Sequence, residues 1–416
     1  MMSFPSYWTE AQKQRFDAYL PYLGTRRLMQ KIPCIHVAGT NGKGSVCAML
    51  ESMLRQSGYR TGLFTSPHLY RETERIAING QPIDAARMQR GMERIERLLP
   101  DIGYFEKTFF TAMEAFEEDG CEVAVVEAGI GGAMDVTNLV SPLATVIANI
   151  GLDHTAVLGG TMEEIAEQKA GIAKHGVPMV LYPDMAKAAH SAIERVCQKA
   201  GAPIYEAEKV CIKQQDAAMH PVLAFETEIG KIGPLTLPLM GTHQIKNAQL
   251  ALAAALAVRG RLRVSTANLA EGLCATRWPG RMQWIPTCGA GPQILVDGAH
   301  NPQAAAQLRE NIQKLFGKTP VVLLCAVMRD KNAGEIVCQL EQAAEFALCT
   351  VADPQRGMPA QALAAMFSCP AEAEPDAAKA YARARKLACD SKALLVIAGS
   401  LYLPGAVGLR EAETRK

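Results

Sequence analysis

The chain has 416 residues, 49% of them apolar and 20% charged, a globular balance with room for two or three separate cores. Lysine and arginine total 43 against 42 acidic residues, so the net charge is +1 and no charge excess argues for nucleic acid or a membrane surface as a partner. The longest apolar runs, such as Val321 to Met328, are strand-length and cannot span a bilayer, and Met1 to Glu10 lacks the basic-then-apolar order of a secretory signal.

Short apolar runs alternate with helical patterns, which predicts an α/β protein with mainly parallel strands. The first unit is Cys34 to Ala38, a glycine loop, then a helix over Val46 to Gln56. Thr61 to Phe64, Val123 to Val126 and Ala144 to Ala148 read as further buried strands, each followed by a polar loop. Residues 201 to 240 change character, and the alternation in Phe225 to Ile232 predicts antiparallel strands. Gln244 to Val258 is an alanine-rich helix ending near Arg259-Gly260. Pro286, Gly289, Gly291 and Pro292 cluster between Ile285 and Gln293 and predict a domain boundary, dividing the chain into 1–286 and 287–416. Beyond it the alternation restarts with Ile294 to Val296, a helix opened by Asn301-Pro302, and strands at Val321 to Leu324 and Leu394 to Ile397. The tail Glu411 to Lys416 reads as solvated.

The strongest chemical signal is Gly39-Thr40-Asn41-Gly42-Lys43-Gly44-Ser45, which follows a strand and opens a helix. That context suits a phosphate-binding loop: glycines admit close backbone N–H approach, the helix N-terminus adds its dipole, and Lys43 adds a charge. Glu127 ends a strand before Ala128-Gly129-Ile130-Gly131-Gly132 and is either a Mg²⁺ ligand or a solvent-facing acid. Ser66 reads locally as a cap or turn residue, His154 as structural, and Lys169 as an exposed helix lysine. Arg281, in Trp278-Pro279-Gly280-Arg281, is either a phosphate clamp or a linker ion-pair residue, and Asp297 is either a ribose-hydroxyl acceptor or a helix cap. Lys43, Ser66, Glu127, His154 and Asp297 all fall at or just past carboxyl ends of expected parallel strands, where open α/β sheets bind ligands. The 12 cysteines form no C-x-x-C pair, and most, such as Cys34, Cys47, Cys325 and Cys349, sit in apolar contexts. They read as reduced buried thiols of a cytoplasmic protein rather than as zinc ligands.

Taken in order, His36 to Ser45, Thr65-Ser66-Pro67-His68-Leu69, Glu74 to Gly80, Glu127 to Asn138, Leu152-Asp153-His154, Lys169-Ala170-Gly171-Ile172, His243-Gln244 with Asn247, Trp278 to Arg281 and Asp297 to Pro302 resemble the folylpolyglutamate synthase/dihydrofolate synthase family of the Mur ligase superfamily. The resemblance implies an N-terminal P-loop ATPase domain, with a mainly parallel sheet and a small antiparallel subsheet, and a smaller Rossmann-like C-terminal domain. It implies an ATP-dependent ligase that adds L-glutamate to folates, and also to dihydropteroate, through an acyl phosphate. It assigns one Mg²⁺ to Ser66, Glu127 and His154 and a second to the neighbourhood of a carbamylated Lys169. It places Gly39 to Ser45, Asn247, Arg281, Asp297 and His300 on the nucleotide, and Lys43, Lys169, His154, Glu127 and Arg281 in catalysis. The implied partners are small molecules only, and a monomer is expected. Three places depart from the family pattern: Ala133 stands where arginine is common, Ala326 where glycine is common, and Leu23 to Lys31 is contracted. The alternatives are a Mur-type amide ligase with another acceptor and a nucleotide-binding regulatory protein that has lost catalysis.

Overall fold

A computed structural model describes residues 31–214, 219–285 and 291–409, together with Gln14, Phe16 and Tyr19. The start of the chain, the contracted stretch up to residue 30, Pro286 and Gly289 of the proline and glycine cluster, and the tail at 411–416 lie outside the described residues.

The first sheet and its helices run β1 (Cys34–Ala38), α1 (Lys43–Gln56), β2 (Thr61–Phe64), β3 (Ile76–Ile78), β4 (Gln81–Pro82), α2 (Ala85–Leu98), α3 (Tyr104–Glu118), β5 (Val123–Glu127), β6 (Pro142–Ile147), α4 (Thr155–Leu158), α5 (Met162–Ala170), β7 (Met179–Leu181), α6 (Lys187–Ala200) and β8 (Ile204–Glu206). Its strand order is β4-β3-β2-β5-β1-β6-β7-β8, parallel except for β3 and β4. β1, β2 and β5 are buried at every residue, which is why they read as unbroken apolar runs rather than alternating ones. β1 lies between β5 and β6; the chain passes from β1 to β2 on one side and from β5 to β6 on the other, so the direction of winding reverses around β1 and opens a crevice at its carboxyl end.

A small antiparallel sheet follows, β9 (Cys211–Gln214), β10 (Val222–Thr227) and β11 (Gly230–Thr236), where alternation was expected. α7 (Thr242–Ala257) starts two residues earlier than its alanine-rich run, and α8 (Thr266–Ala275) closes the first half. α1 is buried from Gly44 to Leu54 and packs on α7 and α8. A Cβ on Gly272 would stand 2.3 Å from the Met53 Cα, so only glycine permits this approach of α8 to α1.

The second sheet contains β12 (Gln283–Ile285), β13 (Ile294–Val296), α9 (Pro302–Phe316), β14 (Val321–Cys325), α10 (Ala333–Leu340), β15 (Phe346–Cys349), α11 (Ala360–Ala364), β16 (Ala371–Ala373), α12 (Ala377–Asp390), β17 (Leu394–Ala398) and α13 (Leu403–Ala406). The order is β12-β13-β17-β14-β15-β16, with only β12 antiparallel. β12 already pairs with β13, so the chain enters the second sheet before residue 286. Asn301 caps α9 by accepting the Ala304 N–H at 2.9 Å, with Pro302 in the first turn, as its Asn-Pro start predicts.

Candidate active site between the two sheets

The glycine loop leaves β1 and enters α1 with no side-chain cap, so the first N–H groups of α1 have no capping partner. Gly42 has φ +89, and a Cβ there would lie 2.7 Å from the Asn247 Oδ1, so both backbone conformation and space demand glycine. Trp278 covers the loop, its ring 2.8 Å from where a Gly44 Cβ would be. Thr40 ties the loop to the segment after β6, donating to the Gly151 carbonyl at 3.0 Å and accepting the Gly151 N–H at 3.1 Å. The Ser45 hydroxyl is buried and accepts from Gln244 at 3.2 Å, and Gln244 in turn accepts from Asn247 at 2.9 Å. Asn41 reaches across to the second half, donating to Gln303 at 2.9 Å and accepting from Asn301 at 2.9 Å.

Three charged side chains meet at this loop. Lys43 donates to the Thr40 carbonyl at 3.3 Å and stands 3.9 Å from the Glu127 Oε1. Glu127 is buried at the end of β5, and its Oε2 accepts the Ser66 N–H at 3.0 Å. Burial pushes its carboxyl above the usual range, opposed by Lys43, by the Ser66 N–H and by Arg281. Glu127 is therefore not a solvent-facing acid. Lys169 is 3% exposed and donates to the Gly39 carbonyl at 2.8 Å, so it is not the exposed helix lysine of the local pattern. Burial, with the Lys43 charge, lowers its amine to about 7.

His154 occupies a left-handed conformation at φ +51, at the start of α4. Burial lowers its pKa; Asp153 opposes this, and Lys331, Lys43 and Lys169 add to it. Its Nε2 faces the Lys331 ammonium at 3.5 Å. Among the described residues no set of three or more His, Cys, Asp and Glu side chains is arranged to hold a metal. Of the expected ligands Ser66, Glu127 and His154, the structure joins Ser66 to Glu127 through the Ser66 backbone N–H, and it sets the His154 ring against Lys331.

A narrow cleft between the sheets is lined by Asn41, Gly42, Ser45, Asn247, Arg281 and Asp297 among others. Asp297 is fixed by backbone, accepting the Met282 N–H at 2.7 Å and the Ala299 N–H at 2.8 Å, and burial raises its carboxyl against the Arg281 charge. His300 sits beside it, its Nδ1 2.8 Å from the Gly298 carbonyl; burial, with the Arg281 charge, lowers it to about 4.

The residue reading missed the groups that fasten the two halves. Asp153 and Lys331 form an ion pair at 2.7 Å, with side chains 9% and 11% exposed. Burial raises the Asp153 carboxyl, but the Lys331 hydrogen bond and charge outweigh it and hold it below the usual range. Asn301 also donates to Asp153, at 3.2 Å. His243, on the cleft wall, was noted only as part of a motif; its Nδ1 is buried without a partner among the described residues.

A phosphate-type loop at the carboxyl edge of one parallel sheet, closed by a second α/β sheet, defines the Mur ligase class. The Mur ligase middle domain matches residues 37–255, and the Mur ligase glutamate ligase domain matches residues 280–401. The dihydrofolate synthase/folylpolyglutamate synthase of Bacillus subtilis is 34% identical over 325 residues, covering 75% of each chain. The structure of Escherichia coli FolC in complex with DHPP and ADP superposes with a TM-score of 0.83 at 30% identity, over 95% of this chain and 91% of that one. The bifunctional folylpolyglutamate synthase/dihydrofolate synthase of Yersinia pestis, complexed with AMPPNP and a Mn ion, gives a TM-score of 0.81 at 28% identity, over 98% and 94%. The chain belongs to the folylpolyglutamate synthase/dihydrofolate synthase family.

Proposed function

We propose that this chain is an ATP-dependent ligase that joins L-glutamate to a carboxylate of folates, and of dihydropteroate, by way of an acyl phosphate. The observation that carries the reading is the meeting of Lys43, Glu127 and Lys169 at one glycine loop that faces the cleft holding Arg281 and Asp297.

The site suits ATP and a divalent ion. Among the described residues the Ser66 hydroxyl makes no hydrogen bond, and the Glu127 Oε1 faces only Lys43, beyond hydrogen-bond length. Two oxygens and the His154 nitrogen leave room for the waters and phosphate oxygens that Mg²⁺ prefers. Held by Ser66, Glu127 and His154, Mg²⁺ would supply positive charge against the triphosphate. A carbamate on Lys169 would supply an oxygen ligand for a second ion, and burial favours the neutral amine that adds CO₂, lowering its pKa to about 7.

Gly42 to Ser45 offer N–H groups to the phosphates, Asn247 and Asp297 line the nucleotide's side of the cleft, and His300 follows Asp297 by three residues. Lys43 and Arg281 stabilise the negative charge spread over the transferring group. The folate carboxylate oxygen bonds to the γ-phosphorus as ADP leaves. The glutamate amine then bonds to the acyl carbon, phosphate departs, and the amine proton goes to solvent. The contacts of Asn41 with Asn301 and of Asp153 with Lys331 keep the halves together and water away from the acyl phosphate. The reading includes two functional domains, 1–286 and 287–416, with β12 of the first range pairing with β13 of the second.

The test is ADP release with ATP, Mg²⁺, glutamate and a panel of folates, pteroates and muramyl precursors. Turnover requiring both glutamate and a folate is the expected result. Turnover only with a muramyl acceptor, or with none, overturns the assignment.

A further inference from the structure

Lys174 lies four residues beyond α5 and outside the set described above. The residue is only partly buried, but its ammonium is enclosed, reaching the β1 region where it acts on His36 and Cys34. It donates to both oxygens of Asn138, to the backbone carbonyl at 2.7 Å and to the side-chain Oδ1 at 2.6 Å. With Oδ1 facing the lysine, the Asn138 amide must turn its NH₂ the other way. That NH₂ donates at 3.1 Å to the carbonyl of Ala133, in the loop after Glu127, and at 3.1 Å to the carbonyl of Gly171, at the end of the Lys169 helix.

Loop and helix end touch closely. The Ala133 N–H donates to the Gln168 carbonyl at 2.8 Å. A Cβ on Gly132 would be 2.6 Å from the Lys169 carbonyl, and one on Gly171 would be 2.3 Å from the Ala133 Cβ. Any shift at Asn138 therefore moves the loop that follows Glu127 against the helix that presents Lys169. We propose that Lys174 is a positioning residue for phosphoryl transfer: by gripping both oxygens of Asn138 it locks the loop after Glu127 to the helix end that carries Lys169. The proposal deepens the ligase reading and rests on it for the reaction concerned. Burial lowers the amine to about 7, and either protonation state keeps N–H donors for both oxygens, so the strap does not depend on titration.

The test is Lys174→Met in the full chain, which keeps a straight stem and removes the enclosed charge, so the fold is retained. Hydrogen exchange on the nucleotide-free protein is expected to speed up in 129–139 and 168–173 and stay unchanged elsewhere. In the glutamate- and folate-dependent assay, kcat is expected to fall about 10- to 100-fold, the range for groups that orient catalytic ligands. The KM for ATP is expected to move less than about 3-fold, because the nucleotide's own contacts remain. Asn138→Leu is expected to match this loss, and the double variant to be no slower than the slower single one. Unchanged exchange in both segments, wild-type kcat in Lys174→Met, or losses that multiply in the double variant overturn the proposal. A wild-type protein without folate- and glutamate-dependent turnover overturns the ligase reading instead, and the exchange result then judges the strap alone.

Discussion

At the carboxyl edge of the first sheet, Lys43, Glu127 and Lys169 are crowded with few partners, and burial displaces both Glu127 and Lys169 from their ordinary ionisation. At the matching edge of the second sheet, polar groups are committed to partners: Asp297 to two backbone N–H groups, Lys331 to Asp153, Asn301 to Asn41. Both halves are parallel α/β sheets with buried strands, so the difference comes from side chains rather than architecture. The first edge keeps its charges loosely partnered, and the second commits its polar groups to contacts with the first.

If that division is right, substitutions at the two edges fail differently. The largest effect is expected from Glu127→Gln and Lys169→Met, each lowering kcat about 100- to 1,000-fold in the ADP-release assay. Near-normal rates in either variant remove that residue from the chemistry. Lys331→Met is expected to act on stability, costing about 3 kcal/mol in denaturant unfolding because Asp153 is left buried without its partner. A variant as stable as wild type shows that the pair fastens nothing.

A smaller effect is expected from pH. Lys169 and Lys174 both hold amines near 7 in the fold and near 10.4 in the unfolded chain. Between those values the unfolded chain binds the extra protons, so stability rises as pH climbs from about 7 towards 10. Below 7 both states are protonated and the full burial cost is present. Urea midpoints at pH 7 and 9 should show the rise in wild type and a shallower one in Lys169→Met; parallel slopes contradict the assignment. The smallest effect is expected at the exposed Lys31–Glu117 pair, where Lys31→Ala should change stability by less than about 1 kcal/mol and leave turnover unaltered.

What the sequence revealed follows from range. β1, β5, β14 and β17 were legible because strands buried on both faces are plain apolar runs, and the phosphate loop because its glycines are local requirements. β4 and β16, two and three residues long at the sheet edges, carry no such pattern. β12 has little pattern of its own and is held by pairing with β13, so the proline and glycine cluster after Ile285 is the plainer local signal there. Lys169 looked exposed because a helix pattern does not show which face meets a distant loop; its acceptor, Gly39, is 130 positions away. The fastening contacts span 260 positions for Asn41–Asn301 and 178 for Asp153–Lys331, and no spacing rule reaches that far.

The central claim is that this site activates a folate carboxylate by phosphorylating it before glutamate attacks. It is tested most directly with a folate substrate whose reacting carboxylate carries ¹⁸O, by mass analysis of the phosphate released with ATP, Mg²⁺ and glutamate. The account predicts one labelled oxygen in the phosphate for each amide bond formed. Unlabelled phosphate alongside normal amide formation contradicts it.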